Sequence, residues 1–260
     1  MATLLAAQRH AQILELLRIN GAVRVSDLSQ TLAVSEMTIR RDIEELAARG
    51  LCRRIHGGAS KVSGSAQEPG FEAKSLAHGP AKRAIARAAA ALVEPGQSVA
   101  ISAGTTTVWI AAELGPRAAT EHLTIVTNSL PAAEMLARAD AADQTILTGG
   151  VRTPSQALVG PVAEATIRQM HFDWFFLGVH GMDLEGGLTT PNIAEAATNQ
   201  AFIAAATELT VVADSSKWGV VAFARIAPLA AATRIVTNPG LPPTLVDELG
   251  RLVQLTQVTE

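Results

Sequence analysis

At 260 residues, with 48% of them hydrophobic, the chain has room for two folded domains and is too apolar to be a disordered segment. No apolar run approaches the ~20 residues of a spanning helix, Met1 to Ala7 makes a poor signal peptide, and the single Cys52 excludes an intrachain disulfide, so a cytoplasmic protein without membrane contact is expected. The formal net charge of -3 divides unevenly: Met1 to Arg83 holds 12 Lys and Arg against 8 Asp and Glu, leaving 9 against 16, which suggests a polyanionic partner for the front end.

Gln8 to Asn20 carries Ile13, Leu14, Leu16 and Leu17 at helical spacing, and Gly21 stops the helix. Ser26 to Thr31 predicts a short second helix, Ala33-Val34 a tight turn, and Ser35 the cap of a third helix that runs to Arg49. In that third helix Ile39, Ile43 and Leu46 form a stripe facing a core, while Glu36, Met37 and Arg40 project from its first turns and Thr38, Arg41 and Glu45 share a neighbouring face. Leu51 to Ile55, a turn at His56-Gly57-Gly58 and Ala59 to Val62 predict a hairpin bearing Arg53 and Arg54. Such a winged helix-turn-helix inserts the start of its third helix into a major groove and lays the wing near phosphates. The candidate DNA contacts are therefore Ser35, Glu36, Met37, Thr38, Arg40, Arg41, Arg53, Arg54 and His56. On spacing alone, a three-helix packing module with a solvated Arg pair is the alternative.

From Ser60 to Pro80 the chain is polar and punctuated by Gly and Pro, so the expected division is a DNA-binding domain over 1–60, a linker over 61–80 and a second domain over 81–260. In the second domain, helical patterns (Ala81 to Val93, Thr107 to Leu114, Pro131 to Ala139, Val162 to Met170, Glu195 to Glu208) alternate with short apolar runs. Those runs are Ser98 to Ile101, Leu123 to Thr127, Thr145 to Leu147, Trp174 to Leu177, Leu209 to Ala213 and Arg234 to Thr237. The alternation predicts an α/β fold with a mostly parallel sheet, whose ligands bind beyond the carboxyl ends of the strands. Those ends are rich in Gly, Ser and Thr. Ser102, Gly104, Thr105, Thr106 and Thr107 follow the first strand, Asn128 and Ser129 the second, and Gly149 the third. Gly178, His180 and Gly181 follow the fourth, and Asp214 and Lys217 the fifth. Glycines, hydroxyls, free helix-start amides and one lysine suit a phosphosugar-sized anion, and with Glu195 these residues make up the candidate effector site. Taken singly, each has a plainer role as a capped turn or a packed histidine.

Thr38-Ile39-Arg40-Arg41-Asp42 followed by His56-Gly57-Gly58-Ala59 resembles the signature of the DeoR family of bacterial repressors. Ala103-Gly104-Thr105-Thr106-Thr107, Val126-Thr127-Asn128-Ser129-Leu130, Gly178-Val179-His180-Gly181, Gly187-Leu188-Thr189-Thr190-Pro191, Glu195-Ala196-Ala197 and Asp214-Ser215-Ser216-Lys217 resemble its sensor half. The resemblance covers essentially the whole chain. It implies a Rossmann-like sensor of the ribose-5-phosphate-isomerase type, similar also to glucosamine-6-phosphate deaminase, and release from DNA on binding a phosphorylated sugar or sugar derivative. Three positions depart from the family pattern: Ser102 and Asn238 stand where Asp is common, and Asn199 where Lys is usual. A somewhat different ligand is expected.

The expected function is thus a repressor of carbohydrate catabolism genes, with operator DNA and a phosphorylated sugar effector as partners. A homo-oligomer, dimer or tetramer, matches the symmetry of operators. No cofactor, metal or catalytic residue is assigned. A sugar-phosphate isomerase or deaminase with a DNA-binding appendage is the rival, but Ser102 and Asn199 deprive Glu195 of the neighbours that proton transfer would use. An architectural DNA binder with a vestigial sensor is the third reading, against which the intact Thr105 to Thr107 loop and Lys217 speak.

Overall fold

The computed structural model describes residues 6–20, 22–48, 51–55, 57–61 and 78–259. The chain divides into two compact units, Met1–Gly64 and Ser65–Glu260, with the division inside the expected linker. Among the described residues no helix is long and apolar enough to cross a membrane.

In the first unit α1 (Ala6–Asn20), α2 (Val25–Leu32) and α3 (Glu36–Ala48) bury Ile13, Leu17, Leu28, Ile39, Ile43 and Leu46 against one another. The α2–α3 turn is tight because Ala33 takes a left-handed backbone (φ 52°), and because Ser29 grips Val34 at both its groups. The Val34 N–H donates to Ser29 O at 3.2 Å, and Ser29 Oγ donates to Val34 O at 2.7 Å. Ser35 then caps α3 by accepting from the Thr38 N–H at 3.2 Å. The wing is a three-stranded sheet rather than a lone hairpin. β2 (Cys52–Ile55) pairs with β3 (Gly58–Lys61), and β1 (Ala22–Arg24) pairs with the outer side of β3. Gly58 makes this possible, since a Cβ there would stand 2.0 Å from Val23 O. A strand of three residues carries too little alternation to be seen in the sequence.

One polar knot, absent from the sequence-based expectations, fastens α1 to α3. Asp42 is buried and accepts from Arg9 Nε at 2.8 Å and Nη2 at 2.9 Å, with His10 Nε2 at 3.1 Å. Burial pushes the Asp42 carboxyl up, but the hydrogen bonds and charges of Arg9 and His10 outweigh it and hold the group below the usual carboxylate range.

The second unit is a doubly wound α/β layer. Its helices are α4 (Gly79–Ala90), α5 (Thr107–Ala118), α6 (Leu130–Arg138), α7 (Pro161–Ile167), α8 (Ile193–Ala205) and α9 (Pro243–Leu252). α4 begins two residues before its expected start, with Pro80 in the first turn. Seven parallel strands stand in the order β15-β14-β12-β9-β4-β5-β6: β4 (Ser98–Ile101), β5 (Thr124–Thr127), β6 (Thr145–Leu147), β9 (Phe172–Leu177), β12 (Ala206–Val212), β14 (Arg234–Thr237) and β15 (Gln254–Gln257). Alternation along the strands serves two cores. Val99, Ile101, Ile125, Phe176 and Val212 join α4, α5 and α6 on one face. Ala100, Val126, Phe175, Leu177 and Val211 join α7, α8 and α9 on the other.

Two smaller pieces sit beside the main sheet. The ribbon β7 (Val151–Arg152) and β8 (Leu158–Val159) follows β6. An antiparallel sheet of β10 (Gly181–Asp183), β11 (Gly187–Thr190) and β13 (Ala224–Ala227) follows β9 and β12. The strand order fixes the geography of any site. From β4 the chain moves outward through β5 and β6, then returns to lay β9 against the other side of β4. The loops after β4 and β9 therefore diverge, and the crevice between them is where open α/β sheets bind ligands.

Candidate functional site

In the first unit the N-terminal half of α3 is presented to solvent because its apolar stripe is spent on the core. Met37 is 75% exposed, with Glu36, Arg40 and Arg41 exposed around it. Thr38 is half-buried, its hydroxyl 2.9 Å from that of Ser35, so these two serve the cap as well as the face. The basic groups are held extended by exposed carboxylates: Arg40 by Glu36 at 3.3 Å, Arg41 by Glu45 at 3.7 Å, and Arg54 of the wing by Glu44 at 3.0 Å. Pairs so exposed are weak and can exchange for phosphates at little cost. Arg53 lies on β2, but its side chain is outside the described residues, as is the whole of His56.

In the second unit a cleft opens at the switch point. Ala103, Gly104, Thr105 and Thr106 line it from the loop after β4, and Gly178, Val179 and His180 from the loop after β9. Val212, Ala213 and Lys217 come from the end of β12, Thr190 from β11, Glu195 and Asn199 from α8, and Ser155 from the β7–β8 turn. Its volume is about 690 Å³ with the open mouth included. Among the described residues neither the Thr105 nor the Thr106 hydroxyl has a hydrogen-bond partner, and both residues line the cleft beside the first turn of α5. The Glu195 carboxylate lies on the same α8 turn as its own cap, Asn192. One of its oxygens accepts from Thr153 Oγ1 at 2.8 Å and from Ser155 Oγ, and the other from Thr190 Oγ1 at 3.3 Å. Elsewhere in this unit Arg117 pairs with Glu121, Arg138 with Glu134 and Arg168 with Glu164.

Of the expected effector residues, Gly104, Thr105, Thr106, Gly178, His180, Glu195 and Lys217 line the cleft. Ser102, Thr107, Asn128, Ser129, Gly149, Gly181 and Asp214 do not, and most of them build its frame. Ser102 is fully buried and accepts from the Gly178 N–H at 2.9 Å, tying the two switch-point loops together. Asn128 accepts from the Ala103 N–H at 3.0 Å and donates to Leu158 O at 3.0 Å, which fixes the β4 loop and the ribbon at once. Thr107 donates to Gly104 O at 2.9 Å. Ser129 caps α6 through the Ala132 N–H, and Asp214 caps the short turn at Ser215–Lys217. Gly181 is a packing glycine, since a Cβ would meet Val220 O at 2.0 Å. Gly149 only turns the chain after β6, with φ 73°. Sequence reasoning did not find Ser155 or Thr153, because nothing marks a Thr-Pro-Ser turn as facing a helix some forty residues away. Asn199 it noted only as a departure from a pattern.

Comparison with known proteins gives the same division. A family model described as the DeoR-like helix-turn-helix domain matches residues 9–64, and one described as the DeoR C terminal sensor domain matches residues 77–239. The HTH-type transcriptional regulator GlpR of Haloferax volcanii is 38% identical over 95% of this chain and 95% of its own. A putative aga operon transcriptional repressor of Escherichia coli O157:H7 is 34% identical over 94% of this chain and 90% of its own. A solved ribose 5-phosphate isomerase A from Methanocaldococcus jannaschii overlaps 53% of each chain at a TM-score of 0.40 and 18% identity, and the strand order rather than that overlap carries the fold.

Proposed function

The chain belongs to the DeoR family of DNA-binding transcriptional repressors, and from that premise we propose that it represses carbohydrate catabolism genes and leaves its operator when a phosphorylated sugar or sugar derivative fills the switch-point cleft. The observation that carries the effector half is the meeting of the Gly104–Thr106 loop, Lys217 and Glu195 in one cleft between diverging strand ends. Backbone and hydroxyl donors with an ammonium suit a phosphate, and a carboxylate beside them suits a polyol.

For the operator half, Arg40, Arg41 and Arg54 contact phosphates, and Glu36, Met37 and Thr38 reach base edges from the first turns of α3. Ser35 positions that helix, and Arg53 and His56 contribute from the wing. The chain acts as a homo-oligomer, dimer or tetramer, matched to a symmetric operator. The test is an operator duplex selected in vitro with the full chain, then titrated with pentose and hexose phosphates. Release is expected from a phosphorylated sugar and not from its unphosphorylated parent. Release by the parent at the same concentration would reject the phosphate assignment.

A further inference from the structure

Aromatic side chains are scarce in this chain, and almost all are covered. Phe172, Phe175, Phe176 and Phe202 are buried, Trp109, Trp174 and Trp218 are half-buried, and the chain has no tyrosine. Among the described residues Phe223 is the exception, at 58% exposed. It stands immediately before β13 in an alternating run. Val221, Phe223 and Arg225 are exposed, Ala222 and Ile226 are buried and Ala224 is half-buried, so the first three share one face. The turn between β10 and β11 lies alongside. A Cβ on Gly186 would stand 2.8 Å from Val221 Cγ2, and one on Gly187 would stand 3.2 Å from Arg225 Nε, so the two glycines let the run lie flat on the hairpin. The same turn exposes Leu184 and Glu185. The backbone at the flanks is already occupied: Gln200 of α8 donates to Arg225 O and Ile226 O, and the Gly219 N–H donates to Met182 O. What stays open is a face of side chains.

An apolar centre rimmed by charge marks a protein interface, with an aromatic residue and an arginine as the side chains that most often anchor one. A fully covered phenylalanine buries ~150–250 Å². Phe223, Val221 and Leu184, each more than a third exposed, therefore supply the centre of a standard interface, to which each partner gives ~800 Å². The rim decides the partner. Among the described residues neither Glu185 nor Arg225 has an ion-pair partner, so the patch carries one open charge of each sign. A partner surface of a single sign satisfies one of them and repels the other. A second copy turned about a two-fold axis meets both, because the patch then faces itself. We propose that this face is an interface between two copies of the chain, with Phe223 near its centre and Glu185 of each protomer set against Arg225 of its partner. The proposal rests on the reading of the chain as a homo-oligomer and says where two copies meet.

The experiment is sedimentation of the full chain over a range of concentrations, with circular dichroism and tryptophan fluorescence to confirm that each variant is folded. Phe223→Asp should remove one two-fold step of assembly, dimer to monomer or tetramer to dimer, by weakening it roughly thirty-fold or more. Glu185→Arg and Arg225→Glu should each weaken the same step roughly ten-fold, since each sets like charges against one another. The double reversal, Glu185→Arg with Arg225→Glu, restores opposite charges across the axis and should recover most of the loss. Losses that simply add in the double variant overturn the two-fold pairing. An assembly that withstands Phe223→Asp overturns the proposal and leaves the homo-oligomer standing, the patch then belonging to the chain's own first unit or to a different protein. A wild-type chain that stays monomeric at every concentration removes the homo-oligomer, and the proposal falls with it.

Discussion

Replacing Asp42 by Asn keeps its shape but turns one acceptor into a donor facing Arg9. Two bonds from Arg9 at 2.8 and 2.9 Å and one from His10 at 3.1 Å lose their charged partner. Breaking a buried pair costs ~3–5 kcal/mol, but the Arg9 and His10 side chains are 12% and 11% accessible, so water recovers part of it. A loss of about 2–3 kcal/mol follows. A unit of some sixty residues is stable by only ~3–9 kcal/mol, so the population of its unfolded form should rise about a hundred-fold. The protein carries its own local probes. All three tryptophans, Trp109, Trp174 and Trp218, lie in the second unit, and the chain has no tyrosine. Urea unfolding read by far-ultraviolet circular dichroism should show the helical signal of the first unit lost at lower denaturant in Asp42→Asn, while the tryptophan midpoint stays put. An Arg9→Ala, Asp42→Asn double-mutant cycle should give a coupling above about 1 kcal/mol. A shift in the fluorescence midpoint equal to that of the dichroism, or no coupling, would refute the reasoning. Because the folded Asp42 carboxyl sits below its ordinary value, this stabilisation is complete above the usual carboxylate range and is lost as pH falls through the folded value. Asp42→Asn should therefore narrow its gap to the wild type only in strong acid.

Three further outcomes are expected. Arg40→Ala or Arg41→Ala should weaken binding to every duplex alike and lower the salt dependence by about one phosphate contact, whereas Met37→Ala should change which base pairs are preferred; an arginine variant with altered sequence preference and unchanged affinity would contradict the assignment. Lys217→Ala should raise the effector concentration needed for operator release roughly ten- to a hundred-fold with operator affinity unchanged, as removal of one charge-assisted bond predicts, and equal release midpoints would take it out of the site. Asn128→Ala should destabilise the second unit by about 2–4 kcal/mol in tryptophan-detected unfolding, since it strands the Ala103 N–H and Leu158 O together, and a loss under ~1 kcal/mol would mean that solvent reaches both groups.

The parts of the fold legible in the sequence are those with long or repeated patterns. The i, i+4, i+7 stripe of Ile39, Ile43 and Leu46 and the apolar runs ending at Ile101, Leu147 and Thr237 correspond to α3, β4, β6 and β14 in the structure. The small sheet of β10, β11 and β13 is not among the expected strands, since β10 and β11 are only three and four residues long and β13, which completes it, pairs with β11 from more than thirty residues further on. α9 and β15 were missed because Pro242-Pro243 looks like a breaker, although the second proline merely opens a helix. At the cleft the strand ends were legible because glycines and hydroxyls cluster there. Whether Asn128 or Asn199 faces a ligand is decided by which way one amide points, and a linear pattern carries no such information.

The buried ties of Ser102, Thr107 and Asn128 give the cleft a frame inherited from the sheet, independent of the side chains that α8, β11 and the ribbon turn inward. An engineer retargeting this protein as a biosensor can therefore leave the frame alone. A library restricted to Ser155, Thr190, Glu195 and Asn199 would explore new ligands while the hydrogen bonds made by Ser102, Thr107 and Asn128 stay as they are.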